Sequence, residues 1–382
     1  MSVTVLRSAA CGVLFLSFLA PAHAGPDAKA IADSLAASVA ATGDAALTYD
    51  SATAAGDTVM LTNVKLAAVS ATAGDSVIAI PSLVITGAAP RQPGGFTATG
   101  VTFDGGSIAS HGDKATWTTG ALADVVVLSP GEVKAHTAQL RPFGKATIAG
   151  LEFTGADFPA AVDVAGIDVA VSSGAADAPS DLLVHATGVR LPTTLLGNSV
   201  VNTVVGMLHY DQFLADIGLD AEYDPTGDTA TVHALTIDAA GVGKLTIAGK
   251  ASSFSLRQLL NRQTSAAARA SASLDALTVR VDNAGFVERL LDMQAQLLGG
   301  TRDDVRAEIV DGALPFALSF IDNDAFRTQV LAAMTAFLKD PHSLTITLAP
   351  ATPVPFGKAL HTVAHAPGAI PDLLAPTIEA NN

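Results

Sequence analysis

The 382-residue chain contains one cysteine, Cys11. It lies in an N-terminal segment built like a secretory signal peptide: Arg7 is the positive n-region, Cys11 to Ala20 the apolar core, and Ala22-His23-Ala24 a small-x-small cleavage site. Cleavage after Ala24 removes that cysteine, which excludes disulfides and thiolate metal sites from the mature protein. Aromatic residues are scarce, with one Trp and three Tyr, so stacking platforms for bases or sugars are not expected. Positive charge is short as well: 21 Lys and Arg face 36 Asp and Glu, and the net charge of −15 opposes nucleic acid through phosphate repulsion. After the leader no apolar run approaches the ~18 to 20 residues of a membrane span. The expected protein is exported, periplasmic or secreted, with no transmembrane segment in its mature part.

Charged residues make up only 15% of the chain, against roughly 25% in ordinary soluble domains. The surface is therefore built largely of Thr, Ser, Gly and Ala. Hydrophobic residues reach 49%, which excludes a disordered chain and supplies ample core for one large or two medium domains.

The strongest pattern is a repeated heptad. Gly144-Lys145-Ala146-Thr147-Ile148-Ala149-Gly150 recurs as Gly243-Lys244-Leu245-Thr246-Ile247-Ala248-Gly249. Each copy alternates apolar and polar residues between glycines and reads as turn, strand, turn. A duplicated half and a chance recurrence of a common β pattern both account for it.

Pro26 to Ala41 carries Ile31, Leu35 and Val39 at helical spacing. From Leu47 to Val189 the period is two, and strands are expected over Thr58–Leu66, Ser76–Ile85, Phe96–Phe103, Ser107–His111, Ala115–Thr118, Ala123–Leu128, Val133–Leu140, Lys145–Phe153, Val162–Val171 and Leu182–Val189. Asp104-Gly105-Gly106 is the clearest hairpin signal among them. The period lengthens between Leu191 and Phe213, where a helix and a domain boundary are expected, and the meander resumes through Ile237 to the second heptad.

Helices follow from Phe286 to Leu338. The first is capped by Asp282 or Asn283 and stopped by Gly299-Gly300; Thr301 with Asp304 forms a capping box for the second; Pro315 breaks that one; Asp322 or Asn323 begins the third. Leu344, Ile346 and Leu348 alternate as a strand, and the Pro-rich tail is expected to wrap the fold, with a short helix near Gly357 to Val363. The domains expected are a signal peptide over 1–24, a β-meander over 25–190 and an α+β unit over 191–382.

Catalytic signatures are missing. Gly197-Asn198-Ser199 lacks the second glycine of a nucleophile elbow, and Gly241-Val242-Gly243-Lys244 lacks the upstream glycine and the Ser or Thr of a phosphate loop. His361 and His365 share a helical face without a third metal ligand, and Asp303-Asp304 and Asp322-Asn323-Asp324 read as helix caps, not calcium loops. His209-Tyr210-Asp211 are neighbours that do not face a common point, so Tyr210 is expected in the core. No cofactor, metal or enzyme activity is expected.

The Thr231–Ile237 type of strand, the Tyr223-Asp224 turn and the helical block ending in Asp340-Pro341-x-x-Leu344 resemble the AsmA-like and YdgA-type families of bacterial periplasmic proteins over Leu182 to Leu348. The resemblance implies long β-structures with an apolar inner surface, tied in the AsmA-like case to lipid traffic between membranes. A retained N-terminal membrane anchor, present in AsmA-like proteins, is not expected here because the leader is read as cleaved, and no functional residue carries over.

The fold class expected is α+β: a predominantly antiparallel β-meander, curved or grooved, with about three C-terminal helices packed on it. A hydrophobic, lipid-like ligand is expected between sheet and helices, lined by Leu290, Met293, Leu297, Phe326, Met334 and Phe337. The alternative is a structural protein of the envelope that pairs with a protein partner and has no small-molecule ligand.

Overall fold

Alternating aliphatic and small polar residues give strands with one apolar face, and in the computed structural model these strands form one sheet. The structure describes residues 26–69, 76–135, 142–156, 158, 160–173, 179–196, 199–255, 258 and 265–382, so the signal peptide expected over residues 1–24 lies outside the described residues. The strands are β1 (Ala45–Thr48), β2 (Ser51–Ala55), β3 (Thr58–Ala68), β4 (Val77–Thr86), β5 (Ala89–Pro90), β6 (Gly95–Ser110), β7 (Asp113–Leu128), β8 (Lys145–Thr154), β9 (Val162–Ser173), β10 (Pro179–Pro192), β11 (Gln212–Asp224), β12 (Thr229–Ala239), β13 (Gly243–Ser252), β14 (Ser273–Asn283), β15 (Ser343–Leu348), β16 (Val354–Pro355) and β17 (Pro376–Ala380).

All pairings among them are antiparallel. β3 takes β1 and β2 on one side and β4 on the other, β4 reaches past β5 to β6, and from β6 to β15 each strand pairs with its successor. β17 adds to β15 at the far edge. The sheet stays open, with β2 and β17 at opposite ends.

Helix Ala28–Ala40 starts at Asp27, whose carboxylate accepts from the Lys29 and Ala30 amides. It buries Ile31 and Ala32 in a core with Val59, Leu61, Ile85 and Phe96. The loop before β6 is tied to the short helix Pro130–Lys134 by a bidentate ion pair from Arg91 to Glu132, at 3.0 Å for both bonds. Glu132 also closes a capping box with Ser129.

The C-terminal helices follow the sequence signals closely. Phe286–Leu298 ends at Gly299 in the left-handed region, and Asn283 accepts the Val287 amide at its start. Thr301 and Asp304 form the expected capping box of Arg302–Ala307. A π-helical stretch, Glu308–Ala313, then leads into Leu314–Leu318 with Pro315 in its first turn, and Asn323 caps Asp324–Lys339.

Several expectations are corrected. Asp104-Gly105-Gly106 is no hairpin: β6 runs straight through it, and the register is unchanged on either side, Asp104↔Thr119 and Gly106↔Trp117. Glycine is needed because a β-carbon on Gly106 would sit 2.1 Å from the Trp117 ring, so the glycine signal marks a close approach inside a strand. The hairpin turn falls at His111-Gly112, and the separate strands expected on either side merge into β6 and β7. Val133 belongs to the helix Pro130–Lys134, because Ser129, Pro130 and Glu132 supply a complete helix start; residues 136–140 of the strand expected there lie outside the described residues. The short helix expected near Gly357 to Val363 is present as Phe356–His365, while the rest of the Pro-rich tail is more ordered than an extended wrap, forming helix Ile370–Leu374 and the edge strand β17.

The two heptads lie on β8 and β13, five antiparallel steps apart, so they run in opposite directions across the same rows. Gly150 has φ +62 while Gly249 does not enter the left-handed region. They are equivalent as strands and are not related by repetition of a half. The boundary placed near Leu191 falls at the end of β10, and the sheet continues across it.

Candidate functional site

Directly paired residues of an antiparallel sheet share a face, so the registers can be followed from strand to strand. One such row reads Ala54, Val59, Ile85, Val101, Leu122, Ala146, Val169, Val184, Leu219, Leu235, Ile247, Val279, Ile346 and Ile378. It crosses every strand except the short β1, β5 and β16, and each member is aliphatic. The adjacent row on the same face reads Ala52, Leu61, Leu83, Phe103, Gly120, Ile148, Ile167, Ala186, Ile217, Ile237, Leu245, Val281, Leu344 and Ala380. At the usual spacing between strands of about 4.8 Å the rows extend for roughly 60 Å.

Cover differs along these rows. Under helix Ala28–Ala40, Val59, Leu61, Leu83, Ile85 and Val101 are all buried. At the other end, helix Asp324–Lys339 lies on β15 and β17, and Ile378 is buried. Between them, no described helix makes an extensive contact with β8, β9, β12 or β13. Val169, Val184, Leu219, Leu235 and Ile247 are only half-buried, and Ile237, Val281 and Ile346 are each more than one-third exposed. The uncovered stretch from β8 to β13 measures about 25 Å across the strands.

The sequence-predicted site residues lie at two places on the rim of this face. On helix Phe286–Leu298, Met293 packs with Val205, Leu208 and Tyr210, while Leu290 and Leu297 are exposed. On helix Asp324–Lys339, Phe337 is buried and Phe326 and Met334 are half-buried. The two helices make no extensive contact with each other. The open face itself is made of strand residues; alternation marked each as apolar, but only the pairing registers align them into rows.

Trp117 belongs to this face. Its ring meets Phe103 edge-to-face at 6.0 Å, and Phe103 lies over Gly120, where a β-carbon would come within 2.1 Å of the ring. The Trp117 indole N–H is buried without a partner among the described residues.

The opposite face carries a hollow of about 510 Å³. Lys145, Ala170, Leu183, Asp220 and Ala234 form one of its rows and Thr147, Asp168, His185, Gly218 and Thr236 the other, alternating with the aliphatic residues. Small residues form its floor and charged ones its rim. Among the described residues no group of three or more His, Asp or Glu is placed to hold a metal ion. His361 and His365 stack with ring centroids 4.4 Å apart, and the His209–Asp211 trio resolves as expected, with Tyr210 buried and its hydroxyl donating to the Gly241 carbonyl at 2.7 Å.

No helix among the described residues is long and apolar enough to cross a membrane. A family model described as an uncharacterized protein matches residues 236–381, from the end of β12 to the end of β17. No curated protein matches the chain.

Proposed function

We propose that this is an exported, non-catalytic protein that binds and carries lipid-like molecules, with their acyl chains laid across the aliphatic rows of β8 to β13. One observation carries the reading: the rows continue unbroken through β8, β9, β12 and β13, with which no described helix makes an extensive contact. Water against such a surface is unfavourable by roughly 25 cal/mol for each Å², and contiguous exposed apolar patches on soluble proteins mark binding surfaces. A flexible hydrocarbon chain suits a surface that offers dispersion contacts along its length and few hydrogen bonds.

Trp117, the single tryptophan, supplies the test. A polyene fatty acid bound on the face is expected to quench Trp117 by energy transfer, and organic extraction of the purified protein is expected to release lipid. Leu219→Asp with Ile247→Asp should abolish uptake while the protein stays folded by circular dichroism. Folded wild-type protein that releases no lipid and takes up no probe overturns the proposal, as does a protein partner crosslinked at Val279 in place of lipid.

A further inference from the structure

Away from the open rows, two pairs of large apolar side chains stand in solvent. Phe316 and Phe320 are 70% and 62% exposed, with their rings edge-to-face at 5.6 Å. Leu360 and Val363 are 69% and 53% exposed, one turn apart on helix Phe356–His365. The two pairs belong to adjoining segments. A β-carbon on Gly368, just past that helix, would sit 3.0 Å from the Phe320 carbonyl, and Asn323 donates to Asp372 at 3.2 Å.

The inner side of helix Phe356–His365 is anchored on the sheet. Phe356 and Ala359 pack around Leu274, Val354 and Leu374, together with Leu277 and Leu348. Leu277 and Leu348 are paired with each other and lie two residues from Val279 and Ile346 on the same strands, hence on the apolar face. The exposed pairs are thus rooted at one end of the proposed lipid-binding surface.

Charge points to what covers them. The chain has 36 acidic residues, yet none lies between Asp340 and Asp372. Helix Phe356–His365 has no acid of its own and exposes Lys358, His361 and His365 beside Leu360 and Val363. Asp322 and Asp372 sit at the junction with Gly368, where Asp372 accepts from Asn323. Exposed apolar side chains beside Lys358, on a helix without an acid in a chain of net charge −15, fit the interface of an anionic bilayer, where the apolar groups enter the acyl boundary and the ammonium meets headgroups.

We infer that Phe316, Phe320, Leu360 and Val363 form a docking surface for an anionic lipid bilayer. Resting on the lipid-carrier reading, this places the exchange of ligand with a membrane at the β14–β15 end of the apolar face.

The test is flotation of the full mature protein with phosphatidylcholine vesicles, with and without phosphatidylglycerol. Wild type is expected to float with the anionic vesicles. Phe316→Ser with Phe320→Ser, and Leu360→Ser with Val363→Ser, should each lower that affinity by at least about tenfold. Both variants should retain the wild-type melting curve, since these side chains stand in solvent. Lys358→Glu is expected to weaken binding to anionic vesicles only. Uptake of fatty-acid probe from solution should be unchanged in all of them, so its failure in a protein that still floats strikes the carrier reading and leaves the docking surface standing. Wild type that floats with neither vesicle, variants that float as wild type does, or a dimer that these substitutions dissolve each overturn the inference.

Discussion

The β2–β7 end of the apolar face and its β8–β13 middle lie on the same two rows and use the same residue types, yet the first is covered by helix Ala28–Ala40 while no described helix makes an extensive contact with β8, β9, β12 or β13. In the first region the rows meet Ile31 and Ala32 and form a close-packed core. In the second the same aliphatic side chains end at half-burial. Composition therefore does not decide which part of the sheet is core and which is surface; the placement of one amphipathic helix does.

The largest expected effect contrasts the two regions. Phe96→Ala, in the covered core, should cost about 3–5 kcal/mol of unfolding free energy in chemical denaturation. Ile247→Ala, in the open middle, should cost about 1 kcal/mol, because the methylenes it removes are already partly in water. Equal losses at the two sites would mean that the middle is covered in solution.

A smaller effect concerns the loop staple of the covered end. Hydrogen bonds from Arg91, and then from the amide and hydroxyl of Ser129, hold the Glu132 carboxyl down at about 2, below its ordinary 4.5. Its contribution is therefore fully present above about 4.5 and is lost as pH falls towards 2. Glu132→Gln should lower the melting temperature at neutral pH, and the gap to wild type should close over that acid range. In the open region, His233 lies 3.4 Å from Glu222 with both side chains half-exposed, and Glu222→Gln should leave the melting curve nearly unchanged. Comparable losses from the two substitutions would erase this contrast.

The smallest effect lies beyond both regions, in the helical block. Thr301→Ala removes the capping hydroxyl of Arg302–Ala307 and should cost about 1 kcal/mol. Asp304, held below its usual range by the Thr301 amide and hydroxyl, should then titrate closer to an ordinary carboxyl by NMR. A loss as large as that of Phe96→Ala would show that this block is coupled to the covered core.

Much of this fold can be read locally. Period-two alternation found the strands, and Gly299, Thr301, Asp304 and Asn323 set helix limits through signals carried within a turn of chain. Errors arose where one local signal has two solutions. Glycine at 105 and 106 serves a turn or a close approach within a strand, and only the Trp117 ring, supplied by the next strand, decides. The prolines of the tail, Pro376 among them, suggested an extended wrap, yet a proline fits the first residue of an edge strand, where a missing N–H costs no ladder bond. The site was the least legible part. Leu290 and Phe337 carry a strong helical apolar signal, whereas Val184, Leu219 and Ile247 are ordinary strand residues that acquire meaning only when registers from distant segments align.

The order of the strands has a further consequence. From β6 to β15 every strand pairs with its neighbours in the chain, so the sheet grows along one dimension and each hairpin depends chiefly on the hairpins beside it. Inserting or deleting a hairpin that keeps the aliphatic rows would change the span by about 10 Å and leave both end caps in place. The reach of the apolar surface is thus a matter of counting hairpins, independent of the chemistry at either end.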